Sequence, residues 1–106
     1  MKRQVVVKLQ VEGIHKWKDC PIDDVMFLRH RHRHIFHIEA RKEVTHNDRD
    51  IEIIMLKRKI TQFLGKEPIE FGNKSCEMIA ESILKAFDCN YVKVLEDNEN
   101  GAILER

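Results

Sequence analysis

Histidines are concentrated in one short run of this sequence, RHRHRHIFH at residues 29–37. The run leads into an alternating segment typical of a β-strand. Side chains two residues apart on a strand lie on the same face, so His32 and His34 are placed to share one metal ion. His15 follows an earlier alternating segment, and antiparallel pairing of the two segments would bring it to the same place. Three imidazoles with an open fourth position are what a catalytic zinc site needs.

Zinc is the metal that this set of residues favours. Harder ions such as calcium and magnesium prefer oxygen ligands, whereas imidazole nitrogen suits zinc. A bound zinc ion lowers the pKa of a coordinated water or polarises a substrate oxygen. His30 has the same strand parity as His32 and His34, and His37 is close by, so either could join the site. Interleaved arginine and histidine also make a solvated cationic patch, and both interpretations are open from the pattern.

Other side chains are candidates for chemistry beside such a metal. Glu96 ends an apolar strand face, where a carboxylate either faces solvent or binds adjacent N–H groups of a heterocycle. Cys20 is a nucleophile or base if zinc or an imidazole stabilises its thiolate, and otherwise an inert loop thiol. His46 and Asp48 are a candidate proton relay, or ordinary residues of a turn before a helix. Glu77 is explained by a favourable charge near a helix N-terminus.

The hydrophobic pattern predicts the element order strand, strand, helix, helix, strand, strand. The predicted strands are at 5–12, 32–44, 91–96 and 102–104. The apolar positions of the two predicted helices run from Ile53 to Leu64 and from Cys76 to Phe87. A long loop runs from His15 to about Arg31, and loops of that length often carry function. Ser75 is the candidate N-cap of the second helix, and Asn47 or Asp48 that of the first.

Length and composition narrow the classes of function. Residues 1–106 make a single domain, too short for a two-lobed enzyme, so we expect another copy to complete any cleft. A net charge of +1 provides no field that would attract nucleic acid. No segment approaches the ~20 apolar residues of a membrane span, and the N-terminus is too briefly apolar for a signal peptide. We therefore expect a cytoplasmic protein with no nucleic-acid or membrane partner.

Three segments carry a resemblance to a known family: HRHIF at 32–36, SCEMIA at 75–80 and LEDN at 95–98. The first resembles an H-x-H-x-aromatic strand start, the second a T-x-E-N-hydrophobic-A helix start, and the third a strand end that carries E-T. Together they resemble the 6-pyruvoyltetrahydropterin and 6-carboxytetrahydropterin synthases, which share the tunnelling fold, or T-fold. His15 occupies the place of that family's first zinc ligand.

The resemblance implies an α+β T-fold with the order ββααββ. Its four-stranded antiparallel sheet would carry two helices on one face, and the sheets would join into the barrel of a homotrimer or homohexamer. The implied zinc ligands are His15, His32 and His34. The residues implied to hold a pterin- or purine-like ring are Glu96, Ser75, Cys76 and Glu77. The implied reaction is a zinc-dependent elimination of triphosphate from dihydroneopterin triphosphate, in a pterin or 7-deazaguanine pathway.

The chain departs from the family pattern at two places. The family's catalytic cysteine lies a few residues before the H-x-H pair, whereas Cys20 lies further upstream. The family's Asp-His pair lies between the two helices, where this chain has GKEPIEFG at 65–72. The sequence therefore leaves His46 with Asp48 as the substitute relay, and His30 or His37 as alternatives.

Two other functions follow from these departures and from the basic residues. The first is a non-catalytic, zinc-containing T-fold protein that binds or sequesters a pterin-, purine- or nucleotide-like ligand. The second treats Arg29, Arg31 and Arg33 as phosphate contacts of a nucleic-acid binder, which predicts a steep dependence of binding on salt. The near-neutral net charge disfavours the nucleic-acid binder.

Overall fold

The computed structural model describes residues 1–106 as an α+β fold in which a five-stranded sheet packs against two α-helices. The elements in chain order are β1 (Arg3–His15), β2 (His32–Val44), α1 (Ile53–Leu64), β3 (Ile69–Gly72), α2 (Cys76–Ala86), β4 (Tyr91–Glu96) and β5 (Asn100–Glu105). A short 3-10 helix at Asp23–Arg29 lies in the segment that joins β1 to β2. Neither α-helix is long and apolar enough to cross a membrane.

The sheet has the strand order β3-β1-β2-β4-β5. The strands β1, β2, β4 and β5 are the four that the sequence pattern predicts, and they pair antiparallel. The predicted strand number is wrong, because β3 adds a fifth strand that pairs parallel to the end of β1. β3 is four residues long, too short for a period-2 pattern to stand out, and it is held by the burial of Ile69 and Phe71.

The hydrophobic core lies on one face of the sheet. Alternate residues of β1, β2 and β4 point into it: Val7, Leu9, Val11, Phe36, Ile38, Ala40, Val92 and Val94. α1 contributes Leu56 and Ile60 to the same buried cluster, and α2 contributes Ile79, Ala80, Ile83 and Leu84. Both helices therefore cover the same face. Complete burial of an aliphatic side chain of this kind contributes about 1.5–3 kcal/mol, so this cluster fixes the positions of the strands.

The two helices begin with different kinds of cap. The Ser75 hydroxyl accepts a hydrogen bond from the Met78 backbone N–H at 3.2 Å, which confirms the predicted cap of α2. The predicted cap of α1 at Asn47 or Asp48 is wrong. Glu52 is the N-cap, and its carboxylate accepts two backbone N–H groups of the first turn at 3.0 Å each. Glutamate is not among the favoured N-cap residues, so the pattern gave no signal for it.

Candidate metal centre

Three strand ends meet at one end of the sheet. His15 is the last residue of β1 and lies opposite His32, the first residue of β2, while Gly13 lies opposite His34. The three histidines share one strand parity and so face the same side. Their ring centroids are 4.5 Å apart for His15 and His32, 5.4 Å for His15 and His34, and 5.0 Å for His32 and His34. The structure thus brings together the three histidines that the spacing singled out.

Glu96 completes this group. It is the last residue of β4 and lies opposite Phe36 of β2, on the same face as the histidines. Its Oε2 lies 2.9 Å from His15 Nε2, and its Oε1 lies 3.7 Å from His34 Nε2. One ligand atom each from His15, His32, His34 and Glu96 lies within 4.8 Å of the other three. These four residues, here called the histidine–glutamate group, could hold a metal ion.

The Nδ1 atom of each ring is already engaged by an acceptor. The three contacts are His15 Nδ1 to the Lys74 carbonyl at 2.8 Å, His32 Nδ1 to the His30 carbonyl at 2.8 Å, and His34 Nδ1 to Asp97 Oδ2 at 2.7 Å. A ring nitrogen that faces an acceptor must donate, so each Nδ1 carries the proton. In a neutral ring the lone pair is then on Nε2, which is the atom available to a metal.

The inward-facing nitrogens fit a cation. Nε2 of His15 and Nε2 of His34 are both buried and have no well-aligned hydrogen-bond partner. With Nδ1 protonated, a neutral His15 places its lone pair 2.9 Å from a carboxylate oxygen of Glu96. Two acceptors at that distance repel each other unless a proton or a metal cation lies between them. Nitrogen ligands with a single carboxylate suit zinc and neighbouring transition metals better than calcium or magnesium.

A proton and a metal ion would compete for this position. Burial lowers the pKa of His15, but the Glu96 carboxylate and the Lys74 carbonyl outweigh burial, and the pKa lies above its ordinary value. The hydrogen bond with His15 holds the pKa of Glu96 below its usual range, against the effect of burial. Because a metal ligand must be deprotonated, a metal ion at this group would compete with protonation of His15 at Nε2.

Asp97 supports the group from behind His34. Its Oδ2 accepts from His34 Nδ1, and its Oδ1 accepts from the Ile35 backbone N–H at 3.0 Å. The hydrogen bonds from His34 and from Ile35 lower the pKa of Asp97. A carboxylate on the far nitrogen of a metal-binding histidine fixes the orientation of the ring. Asp97 was not among the site residues predicted from the sequence, although a carboxylate directly after Glu96 was the available signal.

A cavity of about 540 Å³ lies beside the histidine–glutamate group. Its wall includes Ser75, Cys76 and Glu77, together with Trp17 and three members of the group, His15, His32 and Glu96. The volume falls within the range of small-molecule sites, about 300–1,000 Å³. Burial, with the nearby carboxylates of Glu96 and Glu77, raises the pKa of the Cys76 thiol to about 12, so this residue is a protonated thiol and not a nucleophile at neutral pH.

Three residues considered for catalysis lie away from this cavity. Cys20 is fully buried, with its Sγ 3.7 Å from the Val25 carbonyl oxygen, and it does not line the cavity. His46 and Asp48 are exposed and follow the far end of β2. The 13 residues of β2 span about 40 Å at the usual rise of a strand. Within one chain, the structure therefore does not bring Cys20, His46 and Asp48 to the histidine–glutamate group.

The two alternative histidines are also outside the group. His30 contributes its backbone carbonyl to His32, and its own side chain is exposed. His37 has the opposite strand parity from His34 and points to the face of β2 away from the helices. The parity of His30 was a correct observation, but β2 begins only at His32, so strand alternation does not extend to it.

Comparison of the sequence with protein-family models gave no match, and comparison with curated proteins gave none either. What the fold and the site define is an α+β protein with a five-stranded sheet and a histidine–glutamate group that could hold a metal ion.

Proposed function

We propose that this protein is a zinc-dependent T-fold protein of the 6-pyruvoyl- and 6-carboxytetrahydropterin synthase type, which eliminates triphosphate from a dihydroneopterin triphosphate-like substrate. One observation carries the proposal: four potential ligands converge beside a cavity large enough for a pterin, and three of them, His15, His32 and Glu96, line its wall. Zinc bound there would supply Lewis acidity to a substrate oxygen. The three histidines would hold it, and Asp97 would orient one of them.

The cavity wall suits a ring that carries phosphate. Trp17 offers an aromatic surface, and the backbone N–H groups at the start of α2 give the wall a partial positive charge. Lys16 and Lys74 add two ammonium groups that suit phosphate oxygens. Glu96 lies on the same wall, which is the position that the resemblance assigns to a ring-binding carboxylate.

The proposal includes assembly into a homotrimer or homohexamer. β3 pairs only with the end of β1, so the outer edge of β1 from Arg3 to Glu12 has no partner strand, and neither has the outer edge of β5. Unpaired edges of this length are templates for pairing with another chain. α1 also leaves large apolar side chains about half exposed, which favours an interface. They are Ile53, Ile54, Met55 and Phe63.

A non-catalytic binding protein is the alternative, and one observation favours it. None of the three residues considered for catalysis lines the cavity within one chain, because Cys20 is buried outside its wall and His46 and Asp48 lie beyond the far end of β2. Catalysis then needs a residue from a neighbouring copy, whereas ligand binding needs none. In this alternative the protein keeps the zinc and sequesters a pterin-, purine- or nucleotide-like ligand.

Native mass spectrometry of protein purified without chelator tests the assembly and the metal together. We expect a trimer or hexamer with one zinc ion per chain. A monomer without bound metal would contradict both parts of the proposal.

An activity assay separates the two functions. Zinc-loaded protein is incubated with dihydroneopterin triphosphate, and released triphosphate is measured. We expect turnover by the wild type and by His37→Ala, whose histidine lies on the opposite face, and none by His34→Ala. If the wild type leaves the compound unchanged while an authentic synthase consumes it, the catalytic proposal fails. Calorimetric titration of a pterin into the same sample then tests the alternative, which fails if no heat of binding appears.

A further inference from the structure

Glu96 contacts the histidines directly, which a carboxylate that binds only an organic ligand does not require. One of its oxygens is 2.9 Å from His15 Nε2, and the other is 3.7 Å from His34 Nε2. These two imidazole nitrogens are the buried atoms, described above, that have no well-aligned hydrogen-bond partner. A carboxylate whose oxygens lie this close to two imidazole nitrogens is placed to bind the same cation as those nitrogens.

The backbone holds Glu96 in this position. β4 pairs with β2 so that Glu96 lies opposite Phe36, and the next residue, Asp97, is fixed from both sides. The Asp97 backbone N–H donates to the Ile35 carbonyl at 2.8 Å, while the Ile35 N–H donates to Asp97 Oδ1 at 3.0 Å. The strand then ends in a turn, with Asp97 and Asn98 at positive φ angles of 54° and 59°. The Glu96 backbone therefore has little freedom to withdraw.

We propose that Glu96 is the fourth protein ligand of the metal ion and closes its coordination sphere. The inference rests on the proposed metal site and adds that the site has no open position in the absence of an organic ligand. Sites with four protein ligands are closed, whereas catalytic zinc sites keep a position for water or substrate. Glu96 also lines the cavity, so a ligand that offers N–H groups to this carboxylate draws it from the metal and opens the fourth position.

Cobalt(II) is a suitable probe, because its visible spectrum reports the number of ligands, and azide is a small anion that fills an open position. The full chain is loaded with Co²⁺, the stoichiometry is measured by calorimetry, and azide is then titrated. We expect azide to leave the wild-type spectrum unchanged and to shift the spectra of Glu96→Ala and Glu96→Gln. We also expect both variants to bind Co²⁺ about 10-fold or more weakly than the wild type.

Glu81→Gln is the matched control. Glu81 is exposed on α2 and its substitution makes the same change in charge, but it belongs neither to the cavity wall nor to the histidine–glutamate group. This variant should match the wild type in affinity and in its lack of response to azide. If Glu96→Ala fails to fold by circular dichroism, Glu96→Gln, which is close to glutamate in size, supplies the comparison.

The outcomes distinguish this inference from the proposed function. An azide-induced shift in the wild type equal to that in Glu96→Ala would mean that the fourth position is open, which overturns the inference and leaves the three-histidine metal site standing. Wild-type protein that binds no Co²⁺ would overturn both. Bound Co²⁺ with a spectrum insensitive to azide until Glu96 is replaced supports the closed sphere.

Discussion

Replacing Asp97 with asparagine should weaken metal binding by about 10-fold. Asp97 accepts two hydrogen bonds, from His34 Nδ1 at 2.7 Å and from the Ile35 N–H at 3.0 Å. Asparagine tolerates the positive φ angle of 54°, but it has no charge and leaves one carbonyl oxygen for two donors. Outer partners of metal-bound histidines contribute about 10- to 100-fold in affinity. The Asp97 side chain is 49% exposed, so we expect the low end, about 1.4 kcal/mol.

Competition with a chromophoric zinc chelator measures this change directly. Asp88→Asn is the control, because Asp88 is also an aspartate at positive φ, 51°, and its carboxylate pairs with Arg106 instead of a histidine. The control variant should bind zinc as tightly as the wild type does. An affinity of Asp97→Asn within about twofold of the wild type, or an equal loss in both variants, would show that the His34–Asp97 contact does not orient the ligand.

Three further substitutions test the packing that positions the site. Glu39→Gln removes a buried carboxylate. Burial raises the pKa of Glu39, but Arg41 and two lysines outweigh burial, so the pKa lies below its ordinary value. Urea unfolding at pH 7 should show that the free energy of unfolding falls by about 2 kcal/mol. This is less than the loss expected for a fully buried pair, because Arg41 is partly exposed. The difference from wild type should vanish as the pH falls through the depressed pKa of Glu39. Ile83→Ala, in the core, should cost about 3 kcal/mol by the same measurement. Gly101→Ala would overlap the Val94 carbonyl oxygen, so NMR amide shifts along β4 and β5 should change; an unperturbed spectrum would contradict this packing.

Strand alternation, together with antiparallel pairing of the first two strands, predicted that His15, His32 and His34 meet, but it left His30 and His37 open as alternatives. Parity fixes the face of each side chain, and the segments of β1 and β2 are long enough for their period to be clear. The spacing of His32 and His34, with His15 just after the preceding predicted strand, predicted that these three rings lie close together, and the structure brings them together. The α+β class and the four long strands followed from the same periodicities.

The rest of the site depends on contacts that no local pattern encodes. Glu96 joins the histidines because β4 lies beside β2, and strand adjacency is set by packing of the helices on the sheet. His46 and Asp48 were predicted as a proton relay because histidine and aspartate can transfer protons. Residue type does not show that most of the 13-residue strand β2 separates them from His34. The β3 pairing and the Glu52 cap were missed because each rests on only a few residues whose types suit other structures equally well.

The segment between β1 and β2 is bounded by His15 and His32, which are partners in register. The antiparallel pairing of β1 and β2 therefore holds the two ends of this segment side by side, whatever path the intervening chain takes. Two of the four potential metal ligands lie at those ends, and the other two lie in the interior of β2 and at the end of β4. The entropic cost of closing a loop rises only slowly with loop length, so insertions between residues 16 and 31 should cause little loss of stability. Exchange of this segment, which includes Trp17 on the cavity wall, should therefore reshape the cavity while the histidine–glutamate group keeps its geometry.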